Sequence, residues 1–148
     1  MKDLGDLSKD MKKLLKELKR ETFEKTKGAA LASAKALILA TPVDTSNALS
    51  NWRVSAGFPK TKEIPPFVRG KKGSTWLAST AAAIRESIKS LEKAKVGQQI
   101  YITNNVEYIE YLNEGSSDQA PPGWIQEIGR IAAKNYTDKH PLNLKDML

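Results

Sequence analysis

Residues 41–59 read TPVDTSNALSNWRVSAGFP, and a change of period inside them decides the fold. Pro42 disfavours helical backbone at Thr41, so a helix arriving from upstream ends there. Asp44 or Thr45 can cap a short helical turn over residues 46–50. From Asn51 to Ala56 the period drops to two. Trp52, Val54 and Ala56 alternate with Asn51, Arg53 and Ser55, the pattern of a half-buried strand. Gly57 and Pro59 stop it. A helix stop, a turn and a strand thus follow one another within one short segment.

Upstream, Leu4, Leu7, Met11, Leu14, Leu15 and Leu18 recur at spacings of three and four, which predicts an amphipathic helix with lysines on its other face. The stripe then jumps to Phe23 and resumes through Ala30, Ala34 and Leu37. Gly28 weakens the middle, so residues 4–40 form either one long helix with a phase slip or two helices in line. Small residues from Ala29 to Ala36 permit close packing against a neighbouring element.

Downstream, residues 59–74 carry three prolines, two glycines and the densest basic run, Lys60, Lys62, Arg69, Lys71 and Lys72, which predicts a long exposed loop. Residues 75–95 predict a second helix, capped by Ser74 or Thr75, with Leu77, Ala81, Ile84, Ile88 and Leu91 on its inner face. Residues 98–103, QQIYIT, are rich in strand formers, and Asn104-Asn105 supplies turn chemistry. Residues 106–113 read as helical, with Tyr108, Tyr111 and Leu112 inward and Glu107, Glu110 and Glu114 outward. After the loop GSSDQAPPG, a last helix covers roughly residues 124–136 with Ile125, Ile128, Ile131 and Ala132 inward. The expected fold is α+β: a long N-terminal helix and further helices packed on a small antiparallel sheet.

A length of 148 residues suits one domain: a helical arm over 1–40, an α+β core over 41–138 and a tail over 139–148. No stretch is long and apolar enough to span a membrane, and no hydrophobic segment follows the first charges as in a secretory signal. The absence of cysteine excludes disulfides, thiol catalysis and thiolate metal sites, and the single histidine, His140, excludes multi-histidine zinc sites. No cofactor or metal is expected.

The net charge of +7 is unevenly spread. Residues 1–30 hold nine Lys/Arg against six Asp/Glu, and residues 59–74 hold five against one, whereas residues 107–148 hold four against seven. A chain with a basic front and an acidic back is suited to docking head to tail with copies of itself, or to lying near nucleic acid. Glu107, Glu110 and Glu114 recur at helical spacing, but neither a histidine nor an aspartate cluster accompanies them. A solvated or subunit-facing acidic surface is preferred to a cation or acid/base site. The basic loop with Phe67 inside it has the composition for phosphate contact plus stacking. A flexible loop that orders against a neighbouring subunit is the preferred reading there. The tryptophans Trp52, Trp76 and Trp124 and the tyrosines Tyr101, Tyr108 and Tyr111 are expected in the core before an interface. No serine sits in a nucleophile elbow, and RGKKG lacks the setting of a phosphate loop.

Three blocks in order resemble the tail-completion, or head–tail joining, proteins of double-stranded DNA bacteriophages, the group that includes the lambda minor tail protein Z. The likeness runs from about Ala30 to Ala133. Its first block is carried by Thr41, Pro42, Val43, Asp44, Thr45, Asn51, Trp52, Val54, Ser55 and Gly57. The second is carried by Ile100, Tyr101, Ile102, Asn104, Asn105 and Tyr108, and the third by Leu112, Gly115, Ser117, Gln119, Ala120, Pro121 and Gly123. Ser46 stands where the family has glycine, which predicts a helical rather than left-handed turn. Asn113 stands where the family has an acidic residue, with Glu114 one position later.

The resemblance implies a non-enzymatic virion protein of the phage neck, assembled in the host cytoplasm and acting when the tail meets the DNA-filled head. It implies a homo-oligomeric ring, six-fold or twelve-fold, in contact with connector, tail terminator or tube proteins, with genomic DNA nearby in the channel and no membrane. The interface candidates are Asp44, Thr45, Asn51, Trp52, Asn104, Asn105, Tyr108, Glu107, Glu110, Glu114, Ser117, Gln119 and Pro121. Lys60, Lys62, Arg69, Lys71 and Lys72 are candidate DNA contacts. The runner-up, from another class, is a small basic DNA-binding or packaging accessory protein that uses the 59–74 loop and the N-terminal helix. An enzyme with an unrecognised carboxylate site ranks third.

Overall fold

A computed structural model describes residues 3–143 and 145. Leu144 and residues 146–148 of the expected tail lie outside the described residues. The element order is α1 (Leu4–Ala40), α2 (Asn47–Ser50), β1 (Arg53–Ala56), α3 (Trp76–Glu92), β2 (Ile100–Thr103), α4 (Ile109–Asn113) and α5 (Trp124–Lys139). This is the expected α+β class.

Helix α1 is continuous through Gly28, 37 residues in one run. Its length of about 55 Å follows from a rise of 1.5 Å per residue. Asp3 caps its start, the carboxylate accepting from the Asp6 N–H at 2.8 Å. At its end Thr41 turns extended before Pro42. Helix α5 returns antiparallel along the C-terminal half of α1. Ser33 Oγ donates to the Gly129 carbonyl at 2.8 Å, Leu37 lies beside Gly129, and Tyr136 lies against Gly28. The run of small residues permits this approach, as Ala34 is fully buried.

The sheet has two antiparallel strands, β1 and β2, in the register Arg53↔Thr103, Val54↔Ile102, Ser55↔Tyr101 and Ala56↔Ile100. Val54 is pinned between α1 and α3 by Ala34 and Leu91. The larger core cluster joins Leu37, Ile38, Leu49, Trp52, Ala83, Ala120 and Trp124, with the Trp52 and Trp124 rings edge to face at 6.3 Å. Both indole N–H groups are satisfied: Trp52 donates to Thr41 Oγ1 at 2.7 Å and Trp124 to the Leu112 carbonyl at 2.9 Å.

Three expectations about inner faces are corrected. On α3 the buried residues are Ser79, Thr80, Ala83, Ser87 and Leu91, while Leu77 is 72% exposed and Ala81 and Ile88 also face outward. Of the buried hydroxyls here, those of Ser79 and Ser87 are met by the chain itself. Ser87 donates to the Ala83 carbonyl, and Ser79 Oγ accepts from the Val68 N–H. On α4 the inward residues are Ile109 and Leu112, whereas Tyr108 and Tyr111 are exposed. At 100° per residue Tyr111 falls on the far side of a one-turn helix whose inner arc Ile109 and Leu112 define. On α5 Ile131 is 40% exposed, while Ile125 and Ile128 pack on the core as expected.

Candidate functional site

The three sequence blocks, far apart in the chain, close on one cleft of about 410 Å³. The first block contributes Pro42 through Ala48, the second Tyr108, and the third Leu112, Ser117 and Gln119. Gln119 ties two blocks together, its Oε1 accepting from the Val43 N–H at 3.2 Å. Ser117 Oγ in turn accepts from the Gln119 N–H, which fixes the bend of the third block. The cleft floor is held from below by Asn104, whose Nδ2 donates to the Ala48 carbonyl at 2.8 Å.

The turn that opens the cleft departs from expectation. Ser46 has φ +66°, so the backbone is left-handed despite the absence of glycine, and α2 begins one residue later. Neither Asp44 nor Thr45 caps that helix. Asp44 Oδ1 instead accepts from the Lys72 N–H at 2.6 Å, and its carbonyl accepts from the Gly73 N–H at 2.9 Å. The left-handed turn is offset by a side-chain contact: Ser46 Oγ lies 3.0 Å from Thr75 Oγ1, which donates to the Val68 carbonyl.

The interface candidates therefore separate by role. Asn51 and Trp52 are buried and hold the fold, and Asn104 and Asn105 brace backbone, Asn105 Nδ2 donating to the Lys60 carbonyl at 2.9 Å. Asp44, Thr45, Tyr108, Gln119 and Pro121 keep exposed surface, and so do Glu107, Glu110 and Glu114, none of which lines the cleft. Among the described residues none of those three glutamates is engaged in an ion pair, and no group of three or more His, Cys, Asp or Glu is placed to hold a metal.

The basic segment is corrected from a flexible loop to an anchored one. It has no helix or strand, yet its backbone is stitched to its own chain. The Phe67 N–H donates to Ser50 Oγ, the Val68 N–H to Ser79 Oγ and the Lys72 N–H to Asp44, while the Ile64 N–H donates to Asn51. Lys60, Lys62, Arg69, Lys71 and Lys72 all remain exposed. Phe67 is packed against the core and so is withdrawn from any stacking role.

Sequence reasoning missed Asn113. Its Oδ1 accepts from the Ile125 N–H at 3.0 Å and its carbonyl from the Gly123 N–H, so it serves as a distant cap for α5, which has no side-chain cap of its own. Capping rules look within four residues of a helix start, and Asn113 lies well outside that window. The available signal was chemical: an oxygen-bearing side chain suits a helix N-terminus, and Asn113 supplies one.

No family model matches this chain, and neither a curated protein nor a solved structure matches it significantly. No helix of the described residues is long and apolar enough to cross a membrane.

Proposed function

We propose that this chain is a non-enzymatic structural component of a phage neck, forming or completing a ring that joins the tail to the DNA-filled head. The observation that supports it is the convergence of the three motif blocks on one cleft lined by the exposed Tyr108, on a segment that also displays Tyr111, Glu107, Glu110 and Glu114 to solvent. Tyr108 is 41% and Tyr111 66% exposed, and amphipathic rings so displayed beside unpaired carboxylates suit a protein–protein contact. In a closed ring each copy offers two different surfaces, and a chain with an acidic back and a basic front supplies them. The neighbour's basic surface is the partner of Glu107 and Glu110.

Light scattering at low and moderate salt, with and without a short random duplex, tests the reading. A discrete ring without salt-steep DNA binding is expected. The double variant Glu107→Lys/Glu110→Lys should abolish the ring and leave the monomer's unfolding curve unchanged, since both side chains are exposed. Normal assembly of that variant would remove the acidic contact. The runner-up, a basic DNA-binding or packaging accessory protein, retains five exposed cations on an anchored segment but loses Phe67 as a stacking group. A monomer that binds random duplex and releases it steeply with salt would place it first.

A further inference from the structure

The N-terminal part of α1 runs past the end of the helix that covers the rest of it. Helix α5 meets α1 at Leu37, Ser33 and Gly28. Beyond that, Leu4, Leu7, Met11 and Leu15 are 85%, 50%, 64% and 51% exposed and border an open apolar cleft with Leu14 and Leu18. Leu4, Leu7, Met11, Leu14 and Leu18 alternate spacings of three and four without a break, the a and d positions of a heptad, until Glu21 takes the next d position. A strict seam of this kind lies straight along the helix and fits a second helix running beside it.

The flanks of the seam say which helix. One side carries the acidic row Asp3, Asp10 and Glu17 at the g positions. The other carries Ser8 and Leu15 at the e positions, with Lys12 and Lys19 immediately behind them. If two copies of this segment lie antiparallel, the acidic row of one meets the acidic row of the other. If they lie parallel and in register, each acidic row meets the partner's Lys12–Lys19 side. Both arrangements are closed two-fold pairs that use the same seam on each copy, so the charges on the flanks select the parallel one.

We infer that residues 4–18 of one chain dock on the same segment of a second copy, parallel and in register. The seam is about 22 Å long at 1.5 Å per residue, hardly more than two heptads, so the pairing is weak and reversible unless another contact holds the copies together. It is separate from the acidic surface at Glu107 and Glu110, and either contact can fail without the other.

The chain has no cysteine, so single thiols can report the geometry in the full-length protein. Leu4→Cys and Leu18→Cys variants, oxidised with diamide, should each give disulfide-linked homodimers at least tenfold faster than Lys16→Cys, which places its thiol on the opposite face. A mixture of the first two, one of them mass-tagged, should give few 4-to-18 products. Adding Leu7→Asp/Met11→Asp to the Leu18→Cys chain should slow trapping at least tenfold while thermal unfolding stays the same, because both side chains are exposed. Trapping of Leu18→Cys no faster than Lys16→Cys, predominance of the 4-to-18 product, or trapping indifferent to the aspartates would each overturn the pairing.

Discussion

The side chain of Asn51 and the backbone of Ile64 hold each other in both directions. The Ile64 N–H donates to Asn51 Oδ1 at 2.8 Å, and Asn51 Nδ2 donates to the Ile64 carbonyl at 2.9 Å. The same Nδ2 reaches the Asn47 carbonyl at 2.9 Å, so one fully buried amide joins α2, the start of β1 and the basic segment. Asn51→Ala should therefore cost about 2–3 kcal/mol, because it orphans buried backbone groups as well as deleting hydrogen bonds. Urea unfolding measures the loss. Faster tryptic cleavage after Lys60 and Lys62 should accompany it, and unchanged cleavage would mean that the other anchors suffice to hold the segment.

Ser46 sets a second, ordered prediction. Its φ of +66° carries the strain of a left-handed residue with a Cβ, roughly 1–2 kcal/mol, while its hydroxyl meets Thr75. Ser46→Ala keeps the strain and loses the hydrogen bond, and should destabilise by about 1–2 kcal/mol. Ser46→Gly loses the same bond but relieves the strain, so it should be the milder change by about 1 kcal/mol. Equal effects in chemical denaturation would show that the turn relaxes to right-handed backbone when the hydroxyl is gone.

Thr80 presents the opposite case, a buried group with nothing to bond. Its Oγ1 is the one buried side-chain oxygen among the described residues without a partner, and the residue is 6% exposed on the inner side of α3. Thr80→Val keeps the shape, keeps the helix propensity nearly the same and removes the desolvated hydroxyl. A gain of about 1 kcal/mol in unfolding free energy is expected. A loss would place an ordered water or partner group on the hydroxyl.

How far the sequence carried these conclusions differs from element to element. The helix stop at Thr41, the alternation from Trp52 to Val54 and the β-rich run at Ile100 were legible because each is a local signal. The inner face of α3 was not. Apolar periodicity selected Leu77 and Ile88, but Ser79 on the buried face exchanges hydrogen bonds with Val68, accepting from its N–H and donating to its carbonyl, across a loop whose course the sequence does not state. Ser46 was misread for a related reason: Thr75, 29 positions away, supplies the contact that supports its left-handed turn. At the candidate site the motif residues were found in advance, yet their division into braces and exposed rim depended on partners such as Ala48 for Asn104 and Lys60 for Asn105.

Helices α1 and α5 meet where Tyr136 lies against Gly28. Gly28 sits in mid-helix, where alanine would ordinarily gain about 1 kcal/mol. A Cβ there would run into the phenol of Tyr136, which also stacks on His140 with ring centres 4.3 Å apart. Gly28→Ala should thus destabilise the chain by about 1 kcal/mol, since displacing the ring outweighs the propensity gain. In a Tyr136→Ala background the obstacle is absent, and the same substitution should stabilise by up to about 1 kcal/mol. The sign reversal amounts to a coupling of about 2 kcal/mol, readable from a double-mutant cycle in thermal or urea unfolding. Additive effects in that cycle would mean that Tyr136 does not rest on Gly28 in solution, and that the glycine is there for the approach of some other group.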